Sequence, residues 1–182
     1  MGLAEKLKDI EEEIKDLSKE EKERKVAELL NSLPPEELEE LKTQQCIFCL
    51  LASGDAESFT VYEDNLVKAV FEIKPASKGH VVLFPKEHYA LTTFMSDELT
   101  GHMFKTANML SKTIFGAVKA QGTNIYVANG FAAGQMVSHV MIHIIPRFEN
   151  DKLVIPWKGK EIKNDELKIM ADEIKSKIII KK

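Results

Sequence analysis

The side chains best equipped for chemistry crowd into one short run, His139-Val140-Met141-Ile142-His143. Its alternating pattern predicts a strand, in which alternate side chains share a face. His139, Met141 and His143 therefore project to one side, and Val140, Ile142 and Ile144 form the core-facing set on the other. Imidazoles on a common strand face, beside a loop containing glycine, can donate to phosphoryl oxygens and titrate near neutral pH. By itself such a pair on one strand face is more often structural or exposed. The second feature is Cys46 and Cys49, the only cysteines, spaced C-x-x-C. In a reducing compartment that spacing favours metal or redox chemistry over a structural disulfide. Of the other histidines, His80 in the KGH step is read as orienting a strand or a pocket edge, and His102 as solvated on a helix. Arg147 is read as a surface ion-pair partner, with a contact to phosphate or to a partner subunit as the alternative.

Regular elements must position these groups. Residues 1–45 form one compositional block in which acidic and basic residues alternate and aromatics are missing. Leu3, Leu7, Ile10, Ile14 and Leu17 make a helical stripe. Ser18 followed by Glu21 is a capping box that restarts the helix, with Val26, Leu29, Leu30 and Leu33 as its apolar face. Pro34 and Pro35 break it, and Pro35 opens a short helix through Leu41. The arm is either a helical cap on the main core or a surface for self-association or a protein partner.

From Phe59 the period changes. FTVY, LVKAVFEI and GHVVLFP, separated by turn residues, predict a series of strands. Ser96 caps a following helix, Asp97 and Glu98 suit its N-terminal dipole, and Leu99, Met103, Ala107, Leu110, Ile114 and Val118 recur at helical spacing until Gly122 ends it. TNIYVA and HVMIHII are two more strands joined by NGFAAGQ, and Pro146 closes the second. Asn164 caps a last helix carrying Leu167, Met170, Ile174 and Ile178. Five strands, an internal helix and flanking helices make the chain α+β. The expected organisation is a helical extension over 1–45, a central domain over 46–150 and a C-terminal extension with a helix over 151–182.

A chain of 182 residues suits one sizeable core with additions. Its net charge of −4 supplies no general basic field for a polyanion, so nucleic acid is not an expected partner. The N-terminal MGLAEKLKDIEEE is too charged for a secretory signal, and no apolar run approaches the roughly 18 residues of a membrane helix. The expected location is cytoplasmic, without membrane association.

The segment GQMVSHVMIHIIPRF resembles the signature of the histidine-triad (HIT) family, in which His-apolar-His-apolar-His is followed by two apolar residues, often with Gly-Gln before and Pro-Arg after. FEIKPASKGHVVLFPKEHY matches that family's second block in order and spacing, and CIFC stands where many members begin. The resemblance covers about residues 46–150. It implies a five-stranded antiparallel sheet, usually in a homodimer, and a pocket for a purine nucleoside phosphate such as AMP or GMP. Ile47, Phe48, Phe71 and Ile73 would line the base, and Glu72 stands where an Asp usually holds the ribose hydroxyls. The phosphate would lie against His143 and the backbone around Gly134 and Gln135. Asn129, one residue beyond Ala128, is the nearest match to a phosphate-contacting Asn, although a one-residue shift along a strand reverses the face. The resemblance also implies a structural zinc held by Cys46, Cys49, His88 and His139.

The resemblance is interrupted at its most reactive position. Family enzymes use the middle histidine as the nucleophile on phosphorus, and here that residue is Met141. A thioether is a weak acceptor without useful basicity, and its attack on phosphorus would give a high-energy sulfonium. His139 and His143 each lie two strand residues away, roughly 6–7 Å, whereas attack requires about 3–3.5 Å. The expectation is a nucleotide binder or sensor with covalent catalysis lost or strongly impaired. The alternatives are a hydrolase or transferase acting on phosphoramidates or dinucleoside polyphosphates, and a protein-interaction module working through the arm.

Overall fold

The computed structural model describes residues 10, 12–15, 17–37, 46–154 and 162–178. Two compact units divide the chain, Met1–Asp151 and Lys152–Lys182. The first contains helix α1 (Lys19–Ser32), helix α2 (Ile47–Ser53), strands β1 (Thr60–Glu63), β2 (Val67–Phe71) and β3 (Val81–Pro85), helix α3 (Asp97–Val118), and strands β4 (Gly122–Val127) and β5 (Ile142–Arg147). Helix α4 (Asn164–Lys177) belongs to the second unit, where none of its side chains is buried.

The strands form one antiparallel sheet in the order β1-β2-β3-β5-β4. Near-continuous burial along β2 and β3 follows from cover on both faces. On one face Val67, Ala69, Val81, Leu83, Ile142 and Ile144 pack beneath Leu99, Met103, Ala107, Leu110 and Ile114 of α3. Each of the Val, Leu, Ile and Met side chains contributes roughly 1.5–3 kcal/mol relative to exposure. On the other face Val70, Val82 and Phe84 meet Phe48 and Leu51 of α2, together with Met141.

Local signals decide most element ends. Ser18 and Glu21 form the expected capping box on α1: the Ser18 N–H donates to the Glu21 carboxylate at 3.0 Å, and the Glu21 N–H to Ser18 Oγ at 3.5 Å. Ser96 Oγ accepts from the Leu99 N–H at the start of α3. Three ends differ from the sequence reading. Helix α3 stops at Lys119, which takes the left-handed conformation (φ 55°), so Gly122 opens β4 instead of closing the helix. Strand β5 runs through Pro146 to Arg147. The missing N–H costs no ladder bond, because the β3 pairing stops at Ile144 and on that side the Pro146 carbonyl accepts from Ser77 Oγ at 2.6 Å. At the C-terminus Lys163 is the cap residue and Asn164 is already helical, with no side-chain cap bond. Leu3, Leu7 and residues 38–41 of the predicted arm lie outside the described residues.

Candidate functional site

The sheet face opposite α3 carries two groups of polar side chains, and α2 stands beside both. Cys46 is the N-cap of this short helix and Cys49 lies in its first turn; Gly54 in the left-handed conformation (φ 91°) ends it. Cys46 Sγ lies 3.4 Å from His139 Nδ1, Cys49 Sγ lies 3.2 Å from His88 Nδ1 and 3.8 Å from His139 Nδ1. All four donor atoms fall within 4.8 Å of one another. Metal bonds of about 2.3 Å to sulfur and about 2.0–2.1 Å to nitrogen in a tetrahedron put sulfur and nitrogen roughly 3.5 Å apart, so the cluster fits a four-coordinate cation.

Its surroundings prepare it further. His139 is fully buried, and its Nε2–H donates to the Pro85 carbonyl at 3.0 Å. A carbonyl can only accept, so the proton sits on Nε2 and the Nδ1 lone pair faces the sulfurs. Burial holds His139 down to about 4, against the Pro85 carbonyl, which works the other way, and with help from nearby His88. The ring is therefore neutral at neutral pH, as a ligand must be. Burial, followed by neighbouring Cys46, pushes the Cys49 thiol up to about 12, and a cation seated among the four donors would displace that proton.

The second group lines a cleft of about 1040 Å³. Ile47, Phe48 and Leu51 of α2 form one wall, Phe71 and Ile73 another, and Glu72, Gly134, Gln135, Met141 and His143 supply polar or polarisable atoms. The expected base-side residues are thus together, and they are lining rather than core: Phe71 is 47% exposed and Ile73 84%. Glu72 is oriented by the Lys74 N–H, which donates to its Oε1 at 3.0 Å. His143, Met141 and His139 do share a face, but regular pairing starts only at Ile142, and the two preceding members sit in the extended lead-in to β5.

A proton chain fixes the tautomer of His143. The Ala76 N–H donates to His80 Nδ1 at 3.1 Å, so His80 carries its proton on Nε2 and donates it to His143 Nδ1 at 3.0 Å. His143 then holds its own proton on Nε2, as a donor for the cleft. Burial holds His80 down to about 4, and the neighbouring His143 adds to the shift while Glu72 opposes it. Burial also lowers His143, again against Glu72. Both rings are neutral donors at neutral pH.

Some expected contacts fall elsewhere. The N–H groups of Gly134 and Gln135 are engaged inside the loop, donating to the Phe131 and Gly130 carbonyls, because the tight turn at Phe131–Ala133 closes on itself. The Gln135 side chain is likewise spent: Oε1 accepts from the Gly130 N–H at 2.6 Å, and Nε2 donates to the Ala90 and Val137 carbonyls. Among the described residues, the loop N–H groups without a protein acceptor include those of Phe131, Ala132, Met136, Val137 and Ser138, and of these five residues Met136 and Val137 border the cleft. Asn129 does not line it. Its amide bonds Thr92, accepting from the backbone N–H at 3.0 Å and donating to Oγ1 at 2.9 Å, while Ala128 takes the place at the cleft. His102 is not merely solvated: its Nε2 meets the Asp64 carboxylate at 2.8 Å. Arg147 pairs with Asp151 at 2.7 Å.

The link between His80 and His143 and the cleft positions of Leu51, Phe59, Tyr126 and Val137 escaped the sequence reading. Val82 and Tyr126 flank His143 across the sheet, a register that local patterning does not encode.

Residues 53–150 match the family model of the HIT domain. An adenosine 5'-monophosphoramidase of Schizosaccharomyces pombe is 36% identical over 134 residues, which span 73% of this chain and 98% of that protein. A crystal structure of a HIT-family member from Bacillus subtilis superposes with a TM-score of 0.71 at 31% identity, over 75% of this chain and 99% of its own. A zinc-bound histidine-triad protein from Mycobacterium smegmatis gives a TM-score of 0.59 at 28% identity, over 74% of this chain and 98% of that one. The family-model match covers more than half of the sequence and contains the whole sheet together with His80, His88, His139, Met141 and His143: this chain belongs to the HIT family.

Proposed function

We propose that the cleft binds a purine nucleoside monophosphate, AMP or GMP, and that the protein acts as a nucleotide binder or sensor whose covalent turnover is lost or strongly reduced. The observation that carries this reading is the pairing of Met141 with His143 in one cleft. His143 offers an Nε2–H to a phosphoryl oxygen, the Met136 and Val137 N–H groups add backbone donors, and apolar walls of the right size stand where a base would lie. The position two residues before His143, where a histidine would attack phosphorus, presents a thioether. The monophosphoramidase relative supports the nucleotide class, and Glu72 is assigned to the ribose.

In the same reading Cys46, Cys49, His88 and His139 hold a structural zinc, for which the zinc-bound mycobacterial relative is support. A bound zinc would supply cross-linking of α2 to the approaches of β3 and β5, not chemistry on the substrate. We take residues 46–150 as the nucleotide-binding body of a cytoplasmic homodimer. Its pairing edge is assigned to β4, the last strand of the sheet, where Ile125 is 40% exposed.

The test is hydrolysis of an adenosine phosphoramidate by the wild-type protein and by Met141→His, with zinc content matched and AMP binding followed by thermal stabilisation. AMP is expected to raise the melting temperature of both. Met141→His is expected to turn over at least about a thousandfold faster, since removing a nucleophile elsewhere costs that much or more. Robust wild-type turnover through a trapped nucleotidyl adduct would refute the proposal.

A further inference from the structure

We propose that the metal cluster and the nucleotide cleft are coupled sites, so that a cation held by Cys46, Cys49, His88 and His139 tightens a purine nucleotide beside Phe48 and His143, and the nucleotide tightens the cation. The inference rests on the nucleotide reading above, and concerns what sets the affinity of that site.

Two segments serve both places at once. Helix α2 alternates its duties residue by residue: Cys46 and Cys49 enter the cluster, while Ile47, Phe48 and Leu51 form a wall of the cleft. At seven residues it is far below the roughly 12–15 needed for an isolated helix to hold itself, so its attachments decide where that wall stands. At its C-terminal end the buried Lys68 donates to the Leu51 carbonyl at 2.8 Å. The N-terminal end is fixed by the two cysteines and by Phe48, whose ring lies 4.9 Å from that of Phe84 and 5.5 Å from that of the ligand His139. Loss of the cation would free the cysteine end while Lys68 still holds the other, and the displacement would fall on Ile47 and Phe48.

The second segment runs from Gln135 to His143. His139 belongs to the cluster, Met141 and His143 to the cleft, and Gln135 immediately precedes the loop donors Met136 and Val137. Its backbone is stitched to the neighbourhood of His88: the Val140 N–H donates to the Tyr89 carbonyl at 2.7 Å, and Gln135 Nε2 to the Ala90 carbonyl at 2.8 Å. A cation that draws His88 and His139 together therefore also sets the spacing between the loop and His143. Because coupling between binding sites is reciprocal, the same factor must be found from either side.

The experiment is an equilibrium competition for zinc between the zinc-loaded protein and a chromogenic chelator, with and without saturating AMP, alongside AMP titrations of the zinc-loaded and stripped protein. AMP is expected to raise zinc affinity at least tenfold, and stripping to weaken AMP by the same factor. Phe48→Ala, which keeps all four ligands, is expected to retain zinc and cut the AMP effect at least threefold. AMP binding that leaves the zinc equilibrium unmoved overturns the coupling and leaves the nucleotide reading standing. Failure of zinc-loaded protein to bind AMP overturns that reading itself, and an undiminished AMP effect in a zinc-retaining Phe48→Ala overturns the role of α2.

Discussion

Three residues separate His139 from His143, and the two ends of that stretch are furnished differently. At His139 the chain enters a cluster in which every donor of a four-coordinate site is present and the ring's second nitrogen is already bonded to Pro85. At His143 it enters a cleft whose donors and apolar walls are in place but whose middle position is Met141. On the proposed reading, the contrast separates binding from bond-breaking. A thioether of similar bulk packs against the Val70, Val82 and Phe84 cluster without leaving a buried polar group unpaired. One missing ligand in the cluster would instead strand three others.

The largest expected effect breaks that contrast at its strong end. Cys49→Ser should lose the metal and on the order of 4 kcal/mol of stability, the scale reached when a metal site is destroyed. Met141→Leu, of similar volume, should cost less than about 1.5 kcal/mol. Denaturant unfolding with metal stoichiometry determined on the same samples checks both. Equal costs would mean that the two ends are not differently built.

A smaller effect sharpens the cleft end. His80→Asn removes the ring that fixes the His143 tautomer, and AMP affinity should fall by roughly 5–10-fold, about one hydrogen bond's worth, with zinc retained. The same variant reports on pH. The folded His80 titrates near 4 whereas an unperturbed histidine titrates near 6.5. Between those values the unfolded chain binds the proton and the folded one does not, so wild-type stability falls as pH drops from about 6.5 to about 4. This one group contributes at most about 1.4 kcal/mol per pH unit there. Unfolding free energies across that window should show a shallower slope for His80→Asn, and parallel slopes would remove His80 from the titration.

The sequence made the elements and the face-sharing of His139, Met141 and His143 legible because both depend on local period: 3.6 along α3, 2 along the strands. The four-donor cluster was legible only through the resemblance, since Cys46 and His139 are remote in sequence and meet across the sheet. The partnership of His80 with His143 was not legible at all, because it depends on which strand lies beside which. Donor bookkeeping in the loop failed for a related reason. The residue types around Gly134 suggest an anion-binding backbone, but only the turn geometry shows that the Gly134 and Gln135 N–H groups already have acceptors and that the next two do not. Gly134 itself sits at φ 88°, so its type reflects the turn before it reflects any ligand.

The smallest expected effect tests where the cleft stops. Asn129 was the nearest match to a phosphate contact, yet its amide is engaged by Thr92 through the backbone N–H and Oγ1. Those bonds tie the chain just beyond β4 to the tight turn at Thr92–Phe94, which does not line the cleft. Asn129→Ala should therefore cost about 1 kcal/mol of stability while leaving AMP affinity within about twofold. The direction separates the two assignments: a phosphate ligand would lose affinity with little change in stability, whereas a loop fastener loses stability first. Paired unfolding and AMP titrations of this variant decide between them, and a tenfold loss of AMP affinity in a stable protein would return Asn129 to the site and require the loop to reorganise when nucleotide binds.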